Sequence, residues 1–174
     1  MEIPEKINNF NAYLGTVEAG TKCVGISDEV TLPNLENLTE TLSMAGMAGE
    51  IDSPVVGQYK ACTIEIPFKN ISVEMFKMAA DDNTAIILRA AQESVDTSTN
   101  KKSFKSRVIT VRGMTKSIKF GSLKKGGYGN PSITKEVVTY QDIYDNKVLA
   151  DVNKWGTSCI MNGVDIAKGI SDLI

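Results

Sequence analysis

The chain has 174 residues, 42% hydrophobic and 23% charged, with 19 Lys and Arg against 21 Asp and Glu and no histidine. That length supports one compact domain with a sizeable core, while two domains would need a linker that no Pro-, Ser- or Gly-rich run supplies. A net charge of −2 gives no global reason to bind nucleic acid or an anionic membrane, and no apolar run approaches the roughly 20 residues of a spanning helix.

The opening, Met1 to Lys6, has neither the basic nor the apolar region of a signal peptide, so synthesis in the cytoplasm is expected. Asn11 to Leu14 reads as a short first strand with turns near Gly15 and Gly20. Val24 to Leu32 reads as a second strand, with Pro33 marking its end or an edge position. From Leu38 to Met44 the alternation is clearer. Leu38, Leu42 and Met44 share one parity and Thr39, Thr41 and Ser43 the other, with Glu40 interrupting the apolar face. Ala45 to Gly49 breaks the run. An arm then reaches to about residue 58, before a further alternation from Tyr59 to Phe68 places Cys62, Ile64, Ile66 and Phe68 opposite Thr63 and Glu65.

Asn70 or Ser72 can cap a short helix through Ala80, with Ile71, Met75, Met78 and Ala79 on one face and Asp81-Asp82-Asn83 ending it. Ala85 to Ala91 reads as a strand and Gln92 to Lys102 as a polar connection. Phe104 to Phe120 is rich in Thr, Val and Ile and predicts one long strand bent near Gly113. Gly121 to Pro131 reads as a loop and Ile133 to Tyr144 as a strand. Asp145-Asn146 turns the chain into Lys147 to Val152, and a short strand at Ser158 to Met161 leads to the Asn162-Gly163 turn. The tail from Val164 reads as a weak helix or an interface strap.

Motifs for chemistry are poor. The loop Gly121 to Gly129 lacks the order of a phosphate-binding loop. Asp81-Asp82 has no ligand scaffold for a cation, and Ser or Cys nucleophiles have no histidine to serve them. Acid pairs for glycoside hydrolysis cannot be placed face to face from sequence. Lys101, Lys102, Lys105 and Arg107 read as a solvated face, not a phosphate track. Cys23, Cys62 and Cys159 form no CxxC pair and read as reduced, mostly buried thiols. No enzyme, metal or cofactor is expected.

Four segments, taken in order along the chain, carry a resemblance. They are Phe10-Asn11-Ala12-Tyr13-Leu14-Gly15, Val30 to Leu38, Met44-Ala45-Gly46-Met47-Ala48-Gly49 and Ile160 to Asp165. Together they resemble the major tail tube proteins of P2-like contractile phage tails. Ser94 to Lys102 and Gly121 to Asn130 depart from that pattern. The resemblance implies a mainly β fold: a β-barrel-like sandwich with a short flanking helix and a long inter-strand arm. It implies a single tube domain over 1–174, an assembly arm near 45–58 and a C-terminal packing segment near 162–174.

It also implies hexameric rings stacked into an inner tube around a tape measure protein and later around passing DNA. A sheath protein would lie outside, with baseplate and tail terminator proteins at the ends and no membrane anchor. The chain would reside in the host cytoplasm during assembly and in a tail or released particle when mature. A bacteriocin-like contractile particle could use the same tube without DNA. A soluble carbohydrate- or peptide-binding β-sandwich is the alternative from another class.

Read through that resemblance, Met44, Met47, Ile51, Val55 and Val56 are candidate contacts between rings, on an arm mobile in the isolated chain. Thr39, Thr41, Thr63 and Glu65 are candidates for a wet lumen wall, opposite a face that buries Leu42, Cys62, Ile64 and Ile66.

Overall fold

Long antiparallel pairings dominate the computed structural model, which describes residues 1–15 and 20–174. The strands are β1 (Glu2–Leu14), β2 (Thr21–Cys23), β3 (Asn37–Leu42), β4 (Ile51–Tyr59), β5 (Thr63–Pro67), β6 (Ile86–Asp96), β7 (Lys102–Lys119), β8 (Ser132–Tyr144), β9 (Lys147–Asn153), β10 (Cys159–Met161) and β11 (Val164–Asp165). The helices are α1 (Val73–Ala80) and α2 (Lys168–Ser171). The main sheet runs β11-β10-β9-β8-β7-β6-β1-β2, with β5 also on β8, while β3 and β4 form a separate hairpin.

The large sheet closes on itself. β5 pairs with residues 132–136 of β8, and β9 pairs with residues 139–144 on the same side. Beyond β2, Ser27 N–H donates to Pro67 O and Lys69 N–H to Gly25 O, each at 2.8 Å, around an Ile26–Phe68 bridge. β8, β7, β6, β1, the segment after β2, and β5 thus form a ring around one core of Ile64, Ile66, Phe68, Met75, Met78, Ile86, Leu88, Ile109, Val111, Ile133 and Val137. The mainly β, barrel-like sandwich with one flanking helix is the observed fold.

Local chemistry explains the clearest elements. Ser72 caps α1 by accepting from Met75 N–H at 3.2 Å, and Met75 and Met78 are fully buried, whereas Ile71 lies before the helix and is exposed. β7 is a single strand whose register shifts at Arg112/Gly113, where Val138 of β8 is the unmatched residue. That bulge reverses the parity of β8: Ile133, Lys135 and Val137 are buried before it, Tyr140 and Asp142 after it. The Asp145-Asn146 and Asn162-Gly163 turns have positive φ at both residues, as tight hairpins require.

Several sequence boundaries shift. The first strand starts at Glu2, not Asn11, because β6 also continues to Asp96 and pairs with it; the polar connection shrinks to 97–101. Val24 to Leu32 is not a strand. Its Ile26, Val30 and Leu32 pack on the core from irregular backbone. Half of the arm expected at 45–58 is β4, whose β-branched Val55 and Val56 favour a strand and which is tied by the Thr41 hydroxyl to Asp52 Oδ1 at 2.8 Å. Leu42 is exposed on this hairpin and does not share a face with Ile64 and Ile66. Gly15 and Gly20, near which turns are expected, both lie at bends, and residues 16–19 between them are outside the described residues.

Candidate assembly surfaces

The longest unsatisfied feature is an edge. β6 lines one side of β1 along its whole length, but β2 covers only Ala12 to Leu14 on the other. Residues 2–11 therefore present a row of backbone donors and acceptors without a strand partner among the described residues. An open groove of about 710 Å³ runs beside part of this edge, between Ile7–Ala12 and Lys22–Val30. Edges this long promote association unless they are covered or used for it.

Cross-strand charges stiffen this end of the sheet. Glu93 is buried and accepts from Asn8 and from Lys102 at 3.1 Å, and both contacts hold its carboxyl below the usual range. Lys105 meets Glu2 at 2.6 Å and Asp145 at 3.5 Å. Arg107 binds Asp142 with two hydrogen bonds, 3.1 and 2.6 Å. Lys101 and Lys102 are exposed, as the solvated-face reading expects, while Lys105 and Arg107 are half-buried, and Lys102, Lys105 and Arg107 are each paired with carboxylates. They leave no continuous cationic track for phosphates.

The hairpin β3–β4 is the second feature. Every residue of β3 is exposed, as are Met44, Ile51 and Val56, while Met47 and Val55 are half-buried. Its base is anchored by Lys60 N–H to Glu36 O at 2.8 Å, by a Lys60–Glu36 ion pair, and by Tyr59, whose hydroxyl lies 3.1 Å from Cys159 Sγ. Burial, then that thiol contact, pushes the Tyr59 phenol up to about 12. A second small core of Val152, Cys159 and Ala167 lies beneath, with Leu35, Tyr59 and Met161 packed on it. The five residues expected at ring contacts therefore share one projecting hairpin.

The four lumen candidates lie in two separate sheets. Thr39 and Thr41 are on the hairpin, Thr63 and Glu65 on β5. Glu65 accepts from Ser132 at 2.6 Å and Lys119 at 3.1 Å, which together keep its carboxyl below the usual range.

Amides of the loop Gly121 to Asn130 bond within the loop and to the segment before α1. Ser122 N–H goes to Gly129 O, and Gly129 and Asn130 N–H groups go to Lys69 O, with Asn70 Oδ1 also accepting from Gly129. No phosphate cradle results. Asp81 and Asp82 are structural as well. Asp81 accepts from the Thr84 hydroxyl and from the Asn83 and Thr84 amides. Asp82 accepts from Thr115 N–H (2.7 Å) and hydroxyl (2.8 Å), and from the fully buried Lys135 (3.1 Å). No group of three or more metal-ligating side chains occurs among the described residues, and no described helix is long and apolar enough to cross a membrane. Cys23 and Cys159 are buried free thiols and Cys62 is half-buried.

One signal escapes element-by-element reading. Residues 23–59 hold six acidic and no basic residues, while residues 97–135 hold ten basic and no acidic residues. A net charge near zero conceals this division. Counting charge in windows would have exposed it.

No curated protein matches the chain. Among solved structures, a chain in the cryo-EM structure of the anti-feeding prophage (AFP) baseplate, 6-fold symmetrised, is similar at a TM-score of 0.46 and 11% identity, over 83% of this chain and 97% of that one. The family model of the phage tail tube protein FII matches residues 4–173. With nearly its whole length matched, the chain belongs to the phage tail tube protein FII family, a family of structural subunits and not of enzymes.

Proposed function

We propose that the chain forms hexameric rings which stack into the inner tube of a contractile tail of the P2-like type. The observation that carries this reading is the open edge of β1 over residues 2–11, together with a hairpin that exposes apolar side chains to solvent. A neighbour within the ring satisfies the edge by continuing the sheet, and sixfold closure leaves no edge over. Met44, Met47, Ile51, Val55 and Val56 then contact the next ring. The domain acts as a single unit over 1–174, with the hairpin as its assembly arm and 162–174 as a C-terminal packing segment. A tape measure protein occupies the lumen before DNA passes, the sheath surrounds the tube, and baseplate and terminator proteins close its ends. Assembly takes place in the host cytoplasm.

The same tube serves a bacteriocin-like contractile particle that carries no DNA. Glu65, paired with Lys119, and the paired lysines of β7 favour neither cargo, so DNA content in purified particles separates the two. The tube itself is tested by electron microscopy of the purified chain at raised concentration. Annular particles with sixfold symmetry and their stacks are the expected result. A chain that stays monomeric at every concentration and ionic strength overturns the proposal.

A further inference from the structure

Apart from Asp28, whose carboxylate pairs with Lys69 at 3.0 Å, the division of charge along the chain becomes a division of surfaces in the fold. On the hairpin, Glu40, Glu50 and Asp52 have no cation within ion-pair distance among the described residues, and Leu38, Leu42, Met44 and Ile51 lie exposed beside them. At the other end of β5 is a patch of opposite character. Phe76 of α1 packs against Phe120 with ring centroids 6.3 Å apart, and Lys69 sits over the Tyr128 ring at 5.6 Å. The loop is held against the segment before α1 by the Gly129 and Asn130 amides on Lys69 O. Leu123 at the loop's crest is fully exposed, and Lys124 and Lys125 beside it have no carboxylate within ion-pair distance among the described residues.

We propose that the acidic hairpin of one copy docks on this aromatic and basic patch, formed by α1 and the loop 120–130, of the next copy. The proposal rests on the tube reading and names the surface that receives its arm. Three observations converge on a second copy as the occupant. The charges are complementary: Glu40, Glu50 and Asp52 on one surface and Lys124 and Lys125 on the other, none with an ion-pair partner among the described residues of its own chain. Both surfaces carry an exposed apolar centre, which supplies affinity while the charges set orientation and encounter rate. The two surfaces also lie at opposite ends of one short strand: the hairpin enters β5 at Thr63, and the patch follows Pro67 and adjoins Ser132 of β8. Two different, complementary surfaces at opposite ends make a head-to-tail contact, which does not close and so grows a filament.

Charge exchange tests it. Glu40→Lys with Glu50→Lys, and separately Lys124→Glu with Lys125→Glu, should each lower the rate of tube growth at least about tenfold at low salt. All four substitutions in one chain should return it to within about threefold of the parent, because the reversed surfaces again match. All four residues are exposed and outside the core, so unchanged circular dichroism and melting in the monomer confirm that folding is intact. A second measurement places a photoreactive phenylalanine at Leu123 in tubes grown from mixed nitrogen-14 and nitrogen-15 chains. Adducts between isotopes should map to residues 37–59. Tubes in the parent with no recovery in the fourfold variant, or adducts elsewhere, overturn the proposal while leaving the tube reading intact. Absence of tubes in the parent overturns both.

Discussion

At the residue scale, Lys135 shows how a buried charge is tolerated in so small a core. It lies beneath the end of α1, donating to Asp81 O at 3.0 Å and to Asp82 at 3.1 Å, while Asp82 is itself half exposed and held by Thr115. The two partners are therefore unequal. Asp82→Ala leaves an ammonium buried against a single carbonyl and should cost about 3 kcal/mol. Lys135→Met fills the same space with an apolar chain and leaves Asp82 hydrated, so about 1 kcal/mol is expected. Urea midpoints of the two variants check the order, and a larger loss for Lys135→Met would contradict it. Gly113 makes a sharper case. A Cβ there would stand 2.0 Å from Glu136 O, a backbone atom that cannot move aside without opening the β7–β8 ladder. Gly113→Ala should destabilise by about 3 kcal/mol or more, whereas a Cβ at Gly49 meets nothing within 4 Å.

At the element scale the hairpin and the edge of β1 carry separable tasks. Deleting 49–56 removes most of β4 and the end of its connection to β3 but touches neither β1 nor β6. Rings should still form and stacks should fail; cryo-electron microscopy of the product checks this, and long tubes from the deleted chain would remove the hairpin from stacking. The same elements show what was legible in the sequence. β7 was readable with its bend, because Val108, Ile109, Val111 and Ile118 favour a strand and Gly113 interrupts them. α1 was readable from the Ser72 cap and the Met75–Met78 spacing.

β1 before Asn11 was not readable. Glu2, Pro4, Glu5, Lys6 and Asn8 carry no apolar alternation, and they are extended only because β6 lies beside them. β4 was obscured by Pro54 and Gly57. The candidate contacts on the hairpin were legible as exposed apolar groups, but the grouping of Thr39 and Thr41 with Thr63 and Glu65 required both runs to share a sheet, which no local pattern encodes.

Across the whole molecule, ionisable groups set the pH range over which the fold is most stable. Asp82, Asp81, Glu93, Glu65, Glu2 and Asp96 are all held below the usual carboxylate range, chiefly by hydroxyl, amide or ammonium donors. Through that range the unfolded chain binds more protons than the folded one, so stability rises with pH; the contribution is complete above about pH 4 to 5 and is lost as pH falls through the depressed values. At the alkaline end burial pushes Tyr59 and Tyr140 up to about 12. Between about pH 10 and 12 the unfolded chain has released protons the folded one keeps, and stability falls. Denaturation midpoints measured from pH 3 to 11 should show a plateau with losses at both ends. A midpoint that rises on acidification below pH 4 would contradict this account.

The pairing of β1 with β6 also imposes an order in time. Glu2 lies opposite Asp96 and Leu14 opposite Ile86, so residues 2–11 of β1, which β2 does not cover, have no strand partner until about half of the 174 residues have been synthesised. Separations of this size slow folding, because the loop must close before the pairing can reward it. During translation residues 2–11 remain without a ladder, and the side of β1 left open in the finished fold does not exist as a strand until β6 arrives. Competence to polymerise therefore emerges late in synthesis, after the chain has committed to its own barrel.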